Sequence, residues 1–341
     1  MEEVHDLKPL VSIFSQHTFG FSSEIFKTYS ITYTYYPMLK NMPKKLAIVA
    51  GLFFTTSFLI SCSKNSLTDE MKLSRMSTAL TPPEDLIEIS PELAPVSVAA
   101  YSPSAAWKNR PDGAYSLAQA TLDYKNPVNG WADARMSISG GKLKTTLTKN
   151  IVGPDGGLVS WIDIPDASEY NMSYDFMFDN NFDLSQGGKL GFGFLLGDGF
   201  TGGVPGTGGT GGSVRLMWYK AWSGAPVIIR PYVYYKDQPG QYGDDFGKTY
   251  PASGSIAKGV WHKVNIYVKC NNGSNTNGKL KITINGSTLV DMPIRYTTND
   301  AKRLINRITF ETFRGGADAS WTTSTDGNIY FDNVSWTPLA Y

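Results

Sequence analysis

The sequence from about residue 101 onward predicts an all-β fold, a β-sandwich formed by a single domain. Three observations lead to this prediction. Apolar and polar residues alternate in short runs, clusters of Gly, Asn and Asp separate these runs, and no convincing helix of ten residues is present except near Asn299 to Leu304. The predicted strands are 135–139, 142–147, 170–178, 213–219, 228–235, 261–270, 279–284, 307–313 and 328–336.

Two Asn-Gly pairs lie between predicted strands. Asn277-Gly278 and Asn285-Gly286 each have the composition of a tight hairpin turn, in which both central residues need a positive φ. The sequence therefore predicts antiparallel hairpins in this part of the sandwich.

Charge and composition exclude several classes of protein. The chain has 341 residues, with 31 Lys+Arg against 30 Asp+Glu, so it lacks the basic surplus of a general nucleic-acid binder. Two cysteines and three histidines are too few for a disulfide scaffold or a four-Cys zinc site. We therefore expect no metal, no cofactor and no nucleic-acid partner, and we expect a monomer.

Glycine and tryptophan mark a boundary near residue 100. Of the 34 glycines only Gly20 and Gly51 precede it, and all 8 tryptophans follow it. The part before the boundary divides further into three segments of different composition. We predict a non-native extension at 1–37, a signal peptide at 38–62, a flexible linker at 63–100 and the sandwich domain at 101–341.

The segment 42–62 has the features of a bacterial lipoprotein signal. Two lysines precede an apolar run of fifteen residues, which is shorter than the roughly 20 residues that a membrane span needs. The run ends in Leu59-Ile60-Ser61-Cys62, which resembles a lipobox, so Cys62 is the predicted lipidation site. The alternatives are an ordinary signal peptide and a short anchor.

A lipid on Cys62 would place the protein in the bacterial cell envelope. The expected location is the outer membrane, with the domain facing the periplasm or the cell surface. Because a signal peptide acts at the N-terminus, we expect translation to start at Met38 or Met42, which leaves 1–37 outside the native protein. Residues 63–100 are rich in Ser, Thr, Pro and Glu, which is typical of a tether.

Strand alternation assigns the residues around 213–235 to two faces. Val214, Leu216 and Trp218 share one face, and Ser213 and Arg215 share the other. On the next strand, the polar residues also fall on one face. A face that carries hydroxyls, guanidinium groups and aromatic rings is suited to binding acidic sugars, although an ordinary solvated face has the same pattern. The residues of the second polar face are Arg230, Tyr232 and Tyr234.

A series of short motifs covers most of the domain, from about Val159 to Trp336. The motifs are Gly187-Gly188-Lys189-Leu190, Ser213-Val214-Arg215-Leu216-Met217-Trp218, Tyr232-Val233-Tyr234, Gly259-Val260-Trp261-His262, Asn277-Gly278, Thr312-Phe313-Arg314-Gly315-Gly316, Ser320-Trp321 and Tyr330-Phe331-Asp332-Asn333. Their order, more than any one of them, resembles polysaccharide lyase family 14, which contains alginate lyases and glucuronan-type lyases.

The resemblance implies a β-jelly roll of the concanavalin-like type and an active cleft. The catalytic residues implied by the resemblance are Lys189, Ser213, Arg215, Tyr232 and Tyr234. The residues expected to contact the substrate are Gln186, Arg230 and Arg314. Two departures flank these motifs. Gly191-Phe192 stands where the family usually has Pro-Gly, and the interval from Arg215 to Tyr232 is longer, with 225–231 inserted.

The implied activity is β-elimination on a polysaccharide that contains uronic acids. The substrate carboxylate must be neutralised, a base removes the proton on carbon 5, and an acid protonates the leaving oxygen. Arg215 suits the first task because a guanidinium binds a carboxylate at two points. Lys189 or a tyrosinate suits the second, and the sequence does not decide which group is base and which is acid.

Two other functions are alternatives for a sandwich with such a polar face. The first is a non-catalytic carbohydrate-binding module of the same fold. The second is a glycoside hydrolase, which needs two carboxylates facing each other and is less favoured because no such pair occurs on one strand.

Several single residues have structural interpretations. His262 alternates with apolar residues and is predicted to be structural, and Cys270 is predicted to be a buried or edge thiol. Asp318 and Asp326 are predicted to cap loops, with a calcium site as the alternative. The glycine-rich run 197–212 lacks the ending of a phosphate-binding loop. Because it lies between the Lys189 motif and the strand that begins at Ser213, it is predicted to be a flexible loop over the cleft.

Overall fold

The computed structural model of the protein describes residues 100–316 and 318–341. The predicted extension 1–37, the signal peptide 38–62 with Cys62, and all of the linker 63–100 except its last residue lie outside the described residues. Within the described part, no helix is long and apolar enough to cross a bilayer.

Fifteen strands form between residues 100 and 341, apart from the undescribed residue 317. In chain order they are β1 (Gly113–Ala114), β2 (Val128–Asn129), β3 (Met136–Ser139), β4 (Lys142–Leu147), β5 (Leu158–Ala167), β6 (Glu169–Phe178), β7 (Gly187–Lys189), β8 (Phe192–Gly197), β9 (Gly211–Tyr219), β10 (Ile228–Tyr234), β11 (His262–Lys269), β12 (Gly278–Ile284), β13 (Ser287–Ile294), β14 (Ile305–Arg314) and β15 (Gly327–Ala340).

These strands form two antiparallel sheets that pack as a sandwich of the jelly-roll type, which confirms the predicted all-β class. The first sheet has eight strands in the order β1-β3-β4-β15-β6-β11-β12-β13. The second has the order β10-β9-β7-β14-β5-β2, and β8 follows β7 between β9 and β14. All nine strands named from the sequence are present, with ends that differ by a few residues.

The core lies between the two sheets and is rich in aromatic side chains. Alternate residues of β6 are fully buried, as the two-residue period of a strand requires. Phe192 and Phe310 stack with ring centroids 4.2 Å apart, and Phe331 meets both rings edge-on. Such pairs add to the stabilisation that comes from burying apolar area.

Phe192 also explains one departure from the family motif. Its side chain is fully buried between the two sheets, so it does not reach the outer face of the seven-stranded sheet. The preceding Gly191 has a φ of +74°, and a Cβ there would approach the ring of Tyr174 to within 2.9 Å. The Gly-Phe pair therefore makes room for core packing rather than forming a cleft wall.

Within the described residues, the structure contains a helix and six strands that the sequence pattern did not predict, and lacks the helix that it allowed. An eight-residue helix, Leu117–Tyr124, begins with a capping box in which Ser116 and Gln119 bond each other's backbone N–H. Only a 3₁₀ turn, Asp300–Lys302, forms in the segment near Asn299 to Leu304. The unpredicted strands are β1, β2, β5, β7, β8 and β13.

One of the two predicted hairpin turns is confirmed. Asn285 and Gly286 form the two-residue connection between β12 and β13, with φ values of +50° and +80°. The other prediction was wrong: a longer loop precedes β12, and Gly278 is already the first residue of that strand. Asn277 instead closes this loop, because its amide oxygen accepts from the backbone of Asn272.

Replacing Phe192 with alanine should destabilise the sandwich strongly. The change removes a fully buried ring that stacks on Phe310, and such truncations cost about 3–5 kcal/mol. Urea unfolding followed by tryptophan fluorescence measures the loss. The control is Leu122→Ala, at a side chain that is 72% exposed, and it should change the free energy of unfolding by less than about 0.5 kcal/mol. Equal effects of the two changes would contradict the proposed core.

Candidate active site

The outer face of the seven-stranded sheet carries the residues predicted to be functional. On β9, Val214 and Trp218 are buried in the core, so Arg215 and Met217 project from the opposite face, as the alternation predicts. On β10, Tyr232 lies directly opposite Arg215 in the strand register. The pairing of the two strands therefore brings the Ser-x-Arg and Tyr-x-Tyr motifs side by side.

Lys189 joins this group from β7. It is the last residue of that short strand and lies between Met217 of β9 and Phe313 of β14 in the register. Its Nζ atom lies 3.5 Å from the centroid of the Tyr232 ring. The guanidinium carbon of Arg215 lies 5.2 Å from the same centroid, so the tyrosine ring contacts both cationic side chains.

These residues line a cavity of about 730 Å³ on the outer face. Four of the predicted site residues are on its wall, namely Lys189, Arg215, Arg230 and Tyr232. Two loops also contribute to it: residues 201–203 of the glycine-rich run, and Tyr242 with Gly243 from the segment between β10 and β11.

A buried ion pair fixes Arg215 at the floor of the cavity. Its Nη1 donates to both carboxylate oxygens of Glu311, at 2.8 and 3.0 Å, and the two side chains are each only 4% exposed. Thr309 donates a further hydrogen bond to Glu311. The Nε and Nη2 atoms of Arg215 are buried and have no partner among the described residues, so this edge of the guanidinium has hydrogen-bonding capacity that is not used.

The electrostatic environment lowers the pKa of Lys189 to about 7. Burial is the main cause, because it disfavours the charged ammonium, and the positive charges of Arg215 and Arg230 act in the same direction. Glu311 opposes the shift. A lysine with this pKa is partly neutral near pH 7, so its Nζ is available to accept a proton.

Tyr232 is shifted in the direction that keeps its proton. Burial and the hydrogen bond with Tyr234 raise its pKa above the ordinary value of a phenol, although the charge of Arg215 acts against this. The two hydroxyls are 3.5 Å apart. The cluster therefore favours Lys189, rather than a tyrosinate, as the proton acceptor.

Four of the predicted residues do not lie on the cavity wall. Ser213 is fully buried and its hydroxyl donates to the carbonyl of Phe200. Tyr234 is also fully buried, and its hydroxyl accepts from the backbone N–H of Gly203. Their catalytic roles stay predictions, and both residues connect the strands to the loop above the cavity.

The other two are the predicted substrate contacts Gln186 and Arg314. The side chain of Gln186 accepts from Ser320 next to the cavity. Arg314 is 1% exposed, packs over the ring of Phe182 and donates to the carbonyl of Leu147. Its position on the core face of β14 follows from alternation with Phe313.

Sequence reasoning missed several wall residues, of which Glu311 is the most important. The sequence did contain one indication of this face. Thr309, Glu311 and Phe313 are every second residue of a predicted strand, so their side chains share one side of it. The partner of an ion pair on a distant strand is not visible in such a pattern. The wall residues missed in this way include Glu311, Phe313, Met217, Tyr219 and Trp321.

The carboxylates on the wall are already engaged. Glu311 is paired with Arg215, and Asp318 accepts from the backbone N–H and the hydroxyl of Ser320, so it caps a short 3₁₀ turn. Asp326 accepts from the backbone of Lys149, as expected of a loop cap. Among residues 100–316 and 318–341, no three His, Cys, Asp or Glu side chains are grouped closely enough to hold a metal ion.

The structural roles predicted for two other residues are confirmed. His262 is 4% exposed, stacks on Phe176 and hydrogen-bonds the carbonyl of Ala257 and the side chain of Asn285. Cys270 is a buried free thiol whose pKa is raised to about 12 by burial.

The glycine-rich run 197–212 has two parts. Residues 201–203 lie at the cavity, where a Cβ on Gly203 would come within 3.0 Å of the ring of Tyr242. Residues 207–210 are tied to the scaffold instead, because Thr210 bridges to Thr297 and the carbonyl of Gly209 accepts from the Thr297 hydroxyl. The first part is therefore the one placed to contact a ligand.

Comparisons with known proteins agree with this arrangement. The family model described as polysaccharide lyase 14 matches residues 148–334. The structure of alginate lyase Aly36B is 48% identical, with a TM-score of 0.68, and covers 72% of this chain and 98% of that chain. A double mutant of Aly36B in complex with alginate tetrasaccharide is 47% identical, with the same TM-score and coverage.

The marine PL-14 alginate lyase from Aplysia kurodai shares the fold at 22% identity and a TM-score of 0.52, over 65% of this chain and 94% of that one. Among curated proteins the chain has no match. The motifs resembled polysaccharide lyases of family 14, and both the family match and the identity to Aly36B confirm that resemblance. The chain belongs to the polysaccharide lyase 14 family and is a polysaccharide lyase.

Proposed function

We propose that this lyase cleaves an alginate-type polyuronate by β-elimination, with Lys189 as the base. The observation that carries the proposal is the position of Lys189, next to Tyr232 and Arg215 on the wall of one cavity. Relatives support the choice of polymer, because two Aly36B variants are described in complex with alginate oligosaccharides. One variant replaces a lysine and a tyrosine, the other a lysine and a methionine, and here Lys189, Tyr232 and Met217 line the cavity.

In the proposed reaction, Arg215 binds and neutralises the carboxylate of the sugar on which the proton is removed. Glu311 holds Nη1, so Nε and Nη2 are the donors left for this contact. Both atoms are buried in the free protein, so the side chains over them must move when the polymer binds. Neutralising the carboxylate makes the proton on carbon 5 more acidic. Stabilising the charge that develops there is the largest contribution expected from the protein.

Neutral Lys189 then accepts the proton from carbon 5. The electron pair of that C–H bond forms the double bond between carbons 4 and 5, and the bond from carbon 4 to the glycosidic oxygen breaks. The leaving oxygen needs a proton. Protonated Lys189, with a pKa of about 7, is a stronger acid than Tyr232, whose pKa is raised. We therefore assign both proton transfers to Lys189, and the ring of Tyr232 positions the Lys189 amine.

The two alternative functions receive less support. A non-catalytic module does not require a lysine of lowered pKa, and the chain belongs to a lyase family. A glycoside hydrolase requires two free carboxylates at the bond that is cleaved. Here Glu311 is held in an ion pair and Asp318 caps a turn.

Replacing Lys189 with methionine should abolish cleavage without unfolding the protein. Methionine keeps the length of the side chain but removes the proton acceptor, so kcat should fall by a factor of about 10² or more. The ultraviolet absorbance of the unsaturated product, with alginate as substrate, measures the rate. Lys263→Met, at an exposed lysine of β11 on the other sheet, is the matched control and should keep full activity. Activity of the Lys189 variant within tenfold of the original would refute the assignment.

The pH dependence of kcat/KM should report the titration of Lys189. Because the neutral amine is the active form, kcat/KM should rise with pH and level off above about 7. The charges facing this amine are Arg215, Arg230 and Glu311, and Glu311 is the one that raises its pKa. Glu311→Gln removes that charge, so the rising limb should move to lower pH.

The control for this shift is Glu169→Gln, at a carboxylate on β6 in the opposite sheet that accepts from Tyr267. This change should leave the limb in place. A limb that stays unchanged in Glu311→Gln, or that moves to higher pH, would contradict the role of Lys189 as the base.

We also propose that a lipid on Cys62 holds the enzyme in the bacterial cell envelope, at the outer membrane. The support is the lysine-led apolar run that ends in Leu59-Ile60-Ser61-Cys62. When the sequence is expressed from Met38 in a Gram-negative bacterium, the protein should fractionate with membranes, and Cys62→Ser should move it to the soluble fraction. Mass spectrometry of the mature N-terminus gives an independent reading. An unmodified cysteine in a membrane-free protein would exclude the anchor.

A further inference from the structure

The cavity extends beyond the residues assigned to the reaction. Along β9 the outward residues are Arg215, Met217 and Tyr219, and the last of these pairs with Gly187 of β7. Residues two positions apart on a strand are separated by about 7 Å, so Tyr219 lies well past the row that contains Met217 and Lys189. The cavity, about 730 Å³ in all, therefore continues past the residues that the proposed reaction uses.

Trp321 forms the wall at this end, and it is held in place. It closes the 3₁₀ turn Ala319–Trp321, which Asp318 caps, and its carbonyl accepts from the hydroxyl of Ser185. The indole packs against two glycines. A Cβ on Gly316 would overlap the ring, and one on Gly187 would come within 3.0 Å of it. The backbone therefore leaves a slot for this indole.

Tyr219 lies beside the indole, with ring centroids 6.2 Å apart and an angle of 34° between the planes. Both side chains line the cavity and are only partly buried. Aromatic faces at a binding site pack against the apolar C–H face of a pyranose ring, while polar groups around them fix its orientation. The pair provides an aromatic surface that the proposed reaction does not use.

Arg230 adds a positive charge to this surface. Its guanidinium carbon lies 3.8 Å from the centroid of the Tyr219 ring, and its Nη1 is held by Asp245 at 2.9 Å. The Arg230 side chain is 22% exposed and lines the cavity, so part of its guanidinium is accessible to a ligand. A guanidinium fixed over an aromatic ring is suited to binding the carboxylate of a uronic acid.

We propose that Trp321, Tyr219 and Arg230 form a separate subsite for one uronosyl residue of the polymer, next to the residues that cleave it. The subsite rests on the proposed function, since its ligand is another sugar of the same chain. It selects for length and charge: a chain that reaches Trp321 gains stacking on the indole, and its carboxylate gains the contact with Arg230. Chains too short to reach it are cleaved without this gain.

The test compares kcat/KM on purified alginate oligosaccharides from dimer to hexamer. The original enzyme should show a rise in kcat/KM at the length at which a sugar reaches the subsite. Trp321→Ala should remove this rise, with a loss of roughly tenfold or more on the long oligomers and little change on the shortest ones cleaved. Trp321→Phe should keep part of it. Arg230→Gln should weaken the rise in the same length range.

The matched control is Trp222→Ala, because Trp222 is 69% exposed and does not line the cavity. This variant should keep the length dependence of the original enzyme. The same length dependence in Trp321→Ala, or an equal loss at every length, would overturn the subsite. If Trp321→Ala does not fold, Trp321→Phe and Arg230→Gln decide the question by the same criterion.

The failure of the proposed function has a different signature. In that case the original enzyme yields no unsaturated product from any polyuronate. Calorimetric titration with the hexamer then tests the subsite alone: weaker binding by Trp321→Ala than by Trp222→Ala supports it, and equal binding rejects it.

Discussion

The packing of the two sheets determines where the cavity residues of the central strands lie in this lyase. The inner face of the seven-stranded sheet must be apolar because it packs against the eight-stranded sheet, so Val214, Leu216 and Trp218 are buried in the core. The residues between them are thereby directed to the outer face. Antiparallel pairing then sets Tyr232 beside Arg215 and Lys189 beside Met217, so residues that are distant in the sequence form one cluster.

Charge at the floor of the cavity follows from this placement. Arg215 and Glu311 are both nearly fully buried, and neither charge is tolerable there without the other. The pair leaves one edge of the guanidinium unbonded and keeps a positive charge near Lys189, whose pKa is lowered mainly by its own burial. The same sheet thus carries both the guanidinium proposed to bind the carboxylate and the lysine proposed as the base, which is partly neutral near pH 7.

The sequence predicted the features that depend on local pattern. Strand alternation gave the all-β class and placed Arg215 and Tyr232 correctly on the outer face, and the Asn285-Gly286 turn followed from backbone preference alone. It did not find Glu311, because an ion pair between two strands leaves no periodic trace. Arg314 belongs to a family motif, yet it directly follows Phe313, so its side chain lies on the core face of the strand. Strand β7 has only three residues, too few to show a period, and all six residues of β8 are buried, so no alternation marks it.

The burial of Arg215 with Glu311 also bears on how this enzyme can change over time. The two positions are 96 residues apart in the chain. Replacing either one alone leaves a charge in a low-dielectric environment, which is costly for folding as well as for the reaction. Divergence at one position is therefore expected only together with divergence at the other. Residues 201–203 of the glycine-rich loop, which also line the cavity, carry no charge, so this coupling does not extend to them.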